Sequence, residues 1–465
     1  MLLTAILIYL VITLAIGAAS SRLVKNSNDF VLAGRSLPLF LSASALFATW
    51  FGSETIFGAS SVYLDEGLLG VIEDPFGGAL CLILFGLFYL RPMYRMNVLT
   101  IGDVFKKLFG ERLAFFASLF MIPAYFGYVA AQLIALSLVL GTVTDLSLLE
   151  GVVISACIVV FYTFLGGMWA ISITDFMQTT GIVIGLLAVA YLVADEAGGV
   201  GVILEKAPPE SFQFFPEANF SAWTSYFGAW IILGLGSIPS QDIYQRVMSS
   251  KSEKVAVQST FLAGIFYLSF GLLPLFIALG AKILYPELYL ADKQMLLPAM
   301  VLQHSNLAIQ VLFFGALISA IMSTTSSGLL APAAIISENL IRPYFGKKLS
   351  DPQFLWILRL NVILVATISL AMASWKSDIY ELVAGASILM LVSLFVPLTA
   401  GIYWKKSSSM GAFLALVVGM GSYLAAETYL PNQETHILGL LASGLAMVIG
   451  SLIFPNKLPS THELS

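Results

Sequence analysis

Leu37 to Val62 reads LPLFLSASALFATWFGSETIFGASSV, an apolar run long enough to cross a bilayer, with Trp50, Phe51, Gly52, Ser53 and Glu54 near its middle. An ionisable group at membrane depth is costly and normally faces a cavity or a partner. A helix that opens its backbone at such a place can lend carbonyl oxygens to a cation. The alternative is a shorter helix with Glu54 at its mouth. A second concentration of polar atoms lies in Gly315 to Leu330, GALISAIMSTTSSGLL. Helical spacing puts Ala320, Thr324 and Ser327 on one face, with Ser319, Ser323 and Ser326 on adjoining positions. Hydroxyls of this kind satisfy a small hard cation when carbonyls from a broken helix join them. Equally, they form a small-residue face that lets two helices approach closely.

Other residues carry chemistry less decisively. Asp175, in GMWAISITDFMQTT, is either a helix-start carboxylate favoured by free amides or an ion-path residue acting with Gln178 and Thr179. Asp74 precedes Pro75 and either caps a helix in solvent or shares a vestibule with Glu54, where two acids repel unless a cation or proton joins them. Trp50 is placed to cover a solute or stack on a positively charged one, or to fill the core; Tyr125, Tyr128 and Trp230 are candidates of the same type.

The elements that must position these residues are membrane helices. Hydrophobic residues make up 59% of the 465 and charged residues 11%, against about 25% charged in a soluble domain, and mean hydropathy is +0.93. Apolar runs recur from end to end, predicting an all-α polytopic membrane protein. The pattern divides into thirteen transmembrane helices, with glycine breaks expected at Gly166–Gly167 and at Gly234 and Gly236, a hydrophilic loop over 194–222, and a short polar loop from Gln241 to Lys254. All of the 22 Lys and Arg except Lys206, Lys282, Lys293 and Lys376 fall on one side of that alternation. The positive-inside rule then puts the N-terminus outside and the C-terminus inside. Cys81 and Cys157 lie in apolar runs and read as ordinary thiols, and His304, His436 and His462 have no metal-ligand spacing. The formal charge of −5 gives no basis for a nucleic-acid partner, and no GxxxxGK phosphate loop is present. Neither an enzyme nor an obligate protein partner is indicated.

The stretches VLAGRSLP, ATWFGSETIFGASS, FYTFLGGMWAISITDFMQ, IPSQDIYQRVMSS and SAIMSTTSSGLL together resemble the sodium:solute symporter family, whose members carry proline, pantothenate, sugars, iodide and choline. The resemblance implies a thirteen-helix carrier with the leucine-transporter type of inverted repeat. Residues 36–193 and 223–403 would be the two repeats, preceded by a first helix and inner loop (1–35), separated by an outer loop (194–222), and followed by two further helices and an inner tail (404–465). It also implies a Na+ site formed by the carbonyls of Ala48, Phe51 and Ala320 and the hydroxyls of Ser323 and Thr324, with Asp175 matching an acid linked to sodium coupling in some members. Glu54 and Asp74 align with acids that contact sugar in sugar carriers. Trp50 stands where proline carriers have an aspartate. The ATW segment and the PMYR loop are closer to the choline branch, where Glu54 replaces a small residue. The expectation is a multi-pass carrier of a bacterial inner (plasma) membrane. It would bring a small organic solute, cationic or hydroxyl-rich, into the cell with Na+, and proton coupling through Glu54 or Asp175 is the alternative. Trp50, Glu54, Asp74, Tyr125 and Trp230 are the candidate solute contacts.

Overall fold

The computed structural model describes residues 1–144, 146–345, 349–375, 378–430 and 434–456, so that Lys376 and His462 lie outside the described residues. Within these, the regular elements are helices, and the only extended pairing is a bridge between Leu37 and Ser250. Helix is what an apolar environment demands, because every backbone N–H and C=O must be satisfied within the segment.

Among the described residues, ten helices are long and apolar enough to cross a membrane alone: Leu2–Leu23, Ile72–Met96, Glu111–Val143, Thr163–Glu196, Glu253–Leu284, Leu307–Phe345, Asp351–Ala373, Ile379–Tyr403, Ser409–Tyr429 and Thr435–Ile453. The other three expected passes fall on segments that are short or interrupted. Leu39–Trp50 is a shorter apolar helix, Phe220–Gly236 has 17 residues, and the third is the part of Leu148–Glu196 that precedes the break at Gly167. Among the described residues, length and composition thus identify ten candidate spans, which neither reproduces nor overturns the expected count of thirteen.

The expected break at Gly166–Gly167 is present: within the helical stretch Leu148–Glu196 two helices meet across Gly167, whose backbone leaves helical geometry (φ 48°, ψ −143°). Its left-handed φ favours glycine, and an added Cβ would stand 2.5 Å from the Phe30 carbonyl oxygen. The polar stretch after Gly236, by contrast, is not a surface loop. Residues Gln241–Ser249 form a helix whose nine residues are all buried.

The hydroxyl-bearing helix, Leu307–Ile335, packs along Leu148–Glu196 and also touches Glu111–Val143 and Leu39–Trp50. It is buried from Ala316 to Ile335. Ser409–Tyr429 and Thr435–Ile453 pack mainly on each other and present exposed Leu441, Leu445 and Leu452 at the surface, as a lipid-facing hairpin would.

Candidate functional site between two interrupted helices

The helix Leu39–Trp50 stops at Phe51, whose ψ of 76° departs from helical geometry. The chain resumes as a π-type turn, Glu54–Gly58, followed by the helix Ala59–Gly70. At the interruption the Gly52 N–H turns back to the Trp50 carbonyl (2.9 Å) and the Ser53 N–H goes to Gln132 Oε1 (3.1 Å). Any side chain at position 52 would force its neighbours to move, since a Cβ there would lie 2.7 Å from Thr324 Oγ1 and 2.9 Å from Gln132 Oε1. The close approach of this backbone to Thr324 is what links the two stretches singled out in the sequence.

Four of the five predicted ion ligands are brought together here. Ser323 Oγ and Thr324 Oγ1 each donate to the Ala48 carbonyl at 3.1 Å, and Thr324 Oγ1 is 3.0 Å from the Ala320 carbonyl. All four residues are fully buried. The fifth, Phe51, sits at the break, with its ring stacked on Phe47 at 4.8 Å. Hydroxyls that donate to a carbonyl can turn their lone pairs toward a cation instead, so this donor set suits a small hard monovalent ion.

Asp175 lies beside this cluster, fully buried, accepting from Ser323 Oγ through Oδ1. Its Oδ2 is 3.9 Å from the guanidinium of Arg246. Arg246 is itself fully buried and donates to the carbonyls of Ala45 (3.0 Å) and Asp242 (3.4 Å) and to Ser327 Oγ. Gln178 is buried with both amide atoms unpartnered, and Thr179 Oγ1 reaches the Ser44 carbonyl at 3.4 Å.

The second interruption lies between Phe220–Gly236 and Gln241–Ser249. Tyr125 closes it, because its hydroxyl accepts from the N–H groups of Gln241 (2.7 Å) and Asp242 (3.2 Å) and donates to Asp242 Oδ1 (2.7 Å). Trp50 Nε1 donates to Asp242 Oδ2 at 3.0 Å, so each break reaches the other. Between them is a small cavity of about 30 Å³, with Trp50, Glu54, Tyr125, Tyr128, Ser240 and Asp242 among its lining residues.

The structure separates the remaining candidates. Glu54 lines the cavity and accepts from Gln132 Nε2 (2.7 Å). Asp74 is buried and does not line it; its carboxylate takes the hydroxyls of Thr55 (2.8 Å) and Tyr267 (2.5 Å). Trp230 is not brought to the cavity. It packs with Phe76, Phe214 and Tyr226 at ring-centroid separations of 6.3–6.5 Å. Position decides this outcome, since Trp230 lies in the helix before the second break rather than at the break itself. Asp242, Arg246, Gln132 and Tyr267 were not singled out from the sequence. The spacing of Asp242 and Arg246, four apart in a stretch that also holds Gln241 and Gln245, is the signal that was present.

The profile of the Sodium:solute symporter family matches residues 30–419. The chain belongs to that family. It is a multi-pass membrane transporter and not an enzyme. Among relatives, the high-affinity choline transporter 1 of Drosophila melanogaster is 30% identical over 441 residues, covering 90% of this chain and 70% of that protein. The osmoregulated proline transporter OpuE of Bacillus subtilis (strain 168) is 25% identical over 495 residues, covering 98% and 96%. A Na+-coupled sialic acid symporter, solved in a substrate-bound outward-open state, superposes with a TM-score of 0.86 at 18% identity, covering 99% of both chains. That likeness shows the fold of this symporter, which is shared with leucine-transporter-type carriers.

Proposed function

We propose that this symporter moves a small organic solute across the membrane together with Na+ by alternating access. The observation that carries the reading is that Ala48, Ala320, Ser323 and Thr324 converge on the open segment of the first broken helix. The same segment supplies Trp50 and Glu54 to the cavity at the second break. One short piece of backbone thus belongs to both sites, which is what coupling needs: each ligand must improve binding of the other.

In this reading Na+ enters among the Ala48, Phe51 and Ala320 carbonyls and the Ser323 and Thr324 hydroxyls, and fixes the 51–53 segment. The ordered segment then presents Trp50 and Glu54 to the solute, while Tyr125 holds the start of the 241–249 helix opposite them. With both ligands bound the cavity closes on one side, and the core formed by repeats 36–193 and 223–403 tilts to open the other. Each positive charge moved into a negative interior gains about 2.3 kcal/mol per 100 mV. Asp175, engaged by Ser323, transmits occupancy of the ion site to Arg246 and so to the Asp242 backbone. The membrane is the plasma membrane of a bacterial cell, with the N-terminus outside.

Proton coupling is the second reading. It is favoured by Glu54, a buried carboxyl at the break whose hydrogen-bonding partner among side chains is the neutral amide of Gln132. Reconstituted vesicles separate the two. A sodium gradient at constant pH is expected to drive solute accumulation, and a potassium gradient is not. Accumulation under a pH gradient without sodium would replace sodium by the proton.

A further inference from the structure

Four carboxylates around the two breaks differ in what balances their charge. Asp175 has the Arg246 guanidinium at 3.9 Å. Asp74 has two hydroxyls, from Thr55 and Tyr267. Glu54 has the Gln132 amide and points toward the hydroxyl cluster, because a Cβ on Gly52 would be within 3.0 Å of both Glu54 Oε2 and Thr324 Oγ1. Asp242 has only Trp50 Nε1 and Tyr125 OH, both neutral donors. Arg246 approaches Asp242 through the backbone carbonyl and not the carboxylate. No ion pair among the described residues uses the Asp242 carboxylate.

A buried carboxylate without a cation is expensive, yet Asp242 is 3% exposed and lines the cavity. Its two donors are themselves cavity-lining aromatics, so any solute that touches the Trp50 and Tyr125 rings lies beside this carboxylate. Each carboxylate oxygen accepts one of those bonds and keeps lone-pair capacity for another partner. A second observation points into the same space. Ser240 is 3% exposed, lines the cavity, and its Oγ has no hydrogen-bond partner. The cavity therefore offers an anionic wall, aromatic surfaces at Trp50, Tyr125 and Tyr128, and an unspent hydroxyl. Aromatic faces attract cations.

We propose that Asp242 selects the solute by charge, as the counter-ion of a compact alkylated ammonium that carries a hydroxyl group received by Ser240. The inference deepens the symport reading and rests on it only for the direction of movement, since recognition itself is a property of the Asp242 cavity. A zwitterion brings a second carboxylate against Asp242 and Glu54 and is disfavoured; a neutral solute leaves Asp242 uncompensated.

The test uses the purified full chain at fixed sodium, with binding read by calorimetry. The probes are choline, its neutral carbon isostere 3,3-dimethyl-1-butanol, and glycine betaine. The wild type is expected to prefer choline over the isostere by at least about a hundredfold, and over the betaine as well. Asp242→Asn is expected to collapse the choline-to-isostere ratio to about threefold or less, and Asp242→Glu to retain most of it. Equal binding of choline and its isostere by the wild type overturns the proposal without requiring any variant to fold. A ratio unchanged in a folded Asp242→Asn protein overturns it equally. Charge selection that persists without sodium dependence would support the role of Asp242 and sink the symport reading. Sodium-driven uptake restricted to a neutral or zwitterionic solute would do the reverse.

Discussion

The two interrupted helices solve different problems with similar backbones. At residues 51–53 the helix opens against Ser323 and Thr324, where several carbonyl and hydroxyl oxygens converge, with the Asp175 carboxylate bonded to Ser323 and Glu54 beside Thr324. At residues 237–240 the helix opens against Tyr125 and Trp50, and the polar atom presented to the cavity is a carboxylate. A small hard cation is satisfied by several neutral oxygens at close quarters. A bulky organic cation cannot be surrounded so closely, and full charge with aromatic surface serves it better. The contrast teaches that ion and solute selectivity are separable here, although a single segment, Trp50 to Glu54, serves both.

That segment is where the largest effect is expected. Gly52→Ala would drive a methyl group against Thr324 Oγ1, Gln132 Oε1 and Glu54 Oε2, at 2.7, 2.9 and 3.0 Å. These are side-chain ends that can yield, so the fold survives, but each belongs to one of the two sites. Uptake at saturating sodium and solute is expected to drop to about a tenth or less of wild type, equivalent to about 1.4 kcal/mol or more, at normal membrane abundance. An alanine variant defective toward sodium alone would show that the breaks are less tightly joined than the geometry indicates.

Tyr125→Phe attacks the second break only. It strips the acceptor from two backbone N–H groups and one donor from the Asp242 carboxylate, and an unsatisfied buried polar group costs about 1–3 kcal/mol. Solute affinity is expected to weaken by about tenfold or more, while sodium binding measured without solute stays as in wild type. Thr324→Ala is the converse. Losing one neutral oxygen from the first break is expected to raise the sodium concentration for half-maximal uptake about five- to tenfold, close to 1 kcal/mol. Solute affinity at saturating sodium should be little changed. If both variants shifted both affinities equally, the division of labour between the breaks would be lost.

How much of this was legible in the sequence follows from the same contrast. The first break could be read because Trp50–Glu54 interrupts an otherwise apolar run, and its partner hydroxyls stand out in Gly315–Leu330. Both signals are local. The second break was placed near Gly234 and Gly236, but the stretch beyond it, with Asp242, Gln245 and Arg246, reads by polarity as an exposed connection. Hydropathy scores residues singly, whereas this helix is buried because each polar group finds a distant partner: Asp242 in Trp50 and Tyr125, Arg246 in Ala45 and Ser327, and Gln241 in the Ile101 N–H. The break at Gly166–Gly167 was legible for the same local reason, since a left-handed residue there separates two helices and favours glycine. The ten candidate spans among the described residues follow from apolar length, and the three remaining expected passes are harder to count because they are short or broken.

The smallest effect is expected at Trp230, which sharpens the boundary of the second site. Trp230 belongs to the helix leading into the break and packs against Phe76, Phe214 and Tyr226. Trp230→Phe keeps an aromatic ring in that cluster and removes no hydrogen bond to Asp242 or Tyr125. The change should cost no more than about 1 kcal/mol of stability, the scale of a single aromatic pair, and leave solute affinity within about twofold of wild type. Thermal unfolding and solute titration on the same preparation check both. A tenfold loss of affinity with unaltered unfolding would mean that the aromatic cluster contacts the solute on its way to the cavity. Recognition would then begin before the break, and the solute site would extend along the approach helix instead of ending at Ser240 and Asp242.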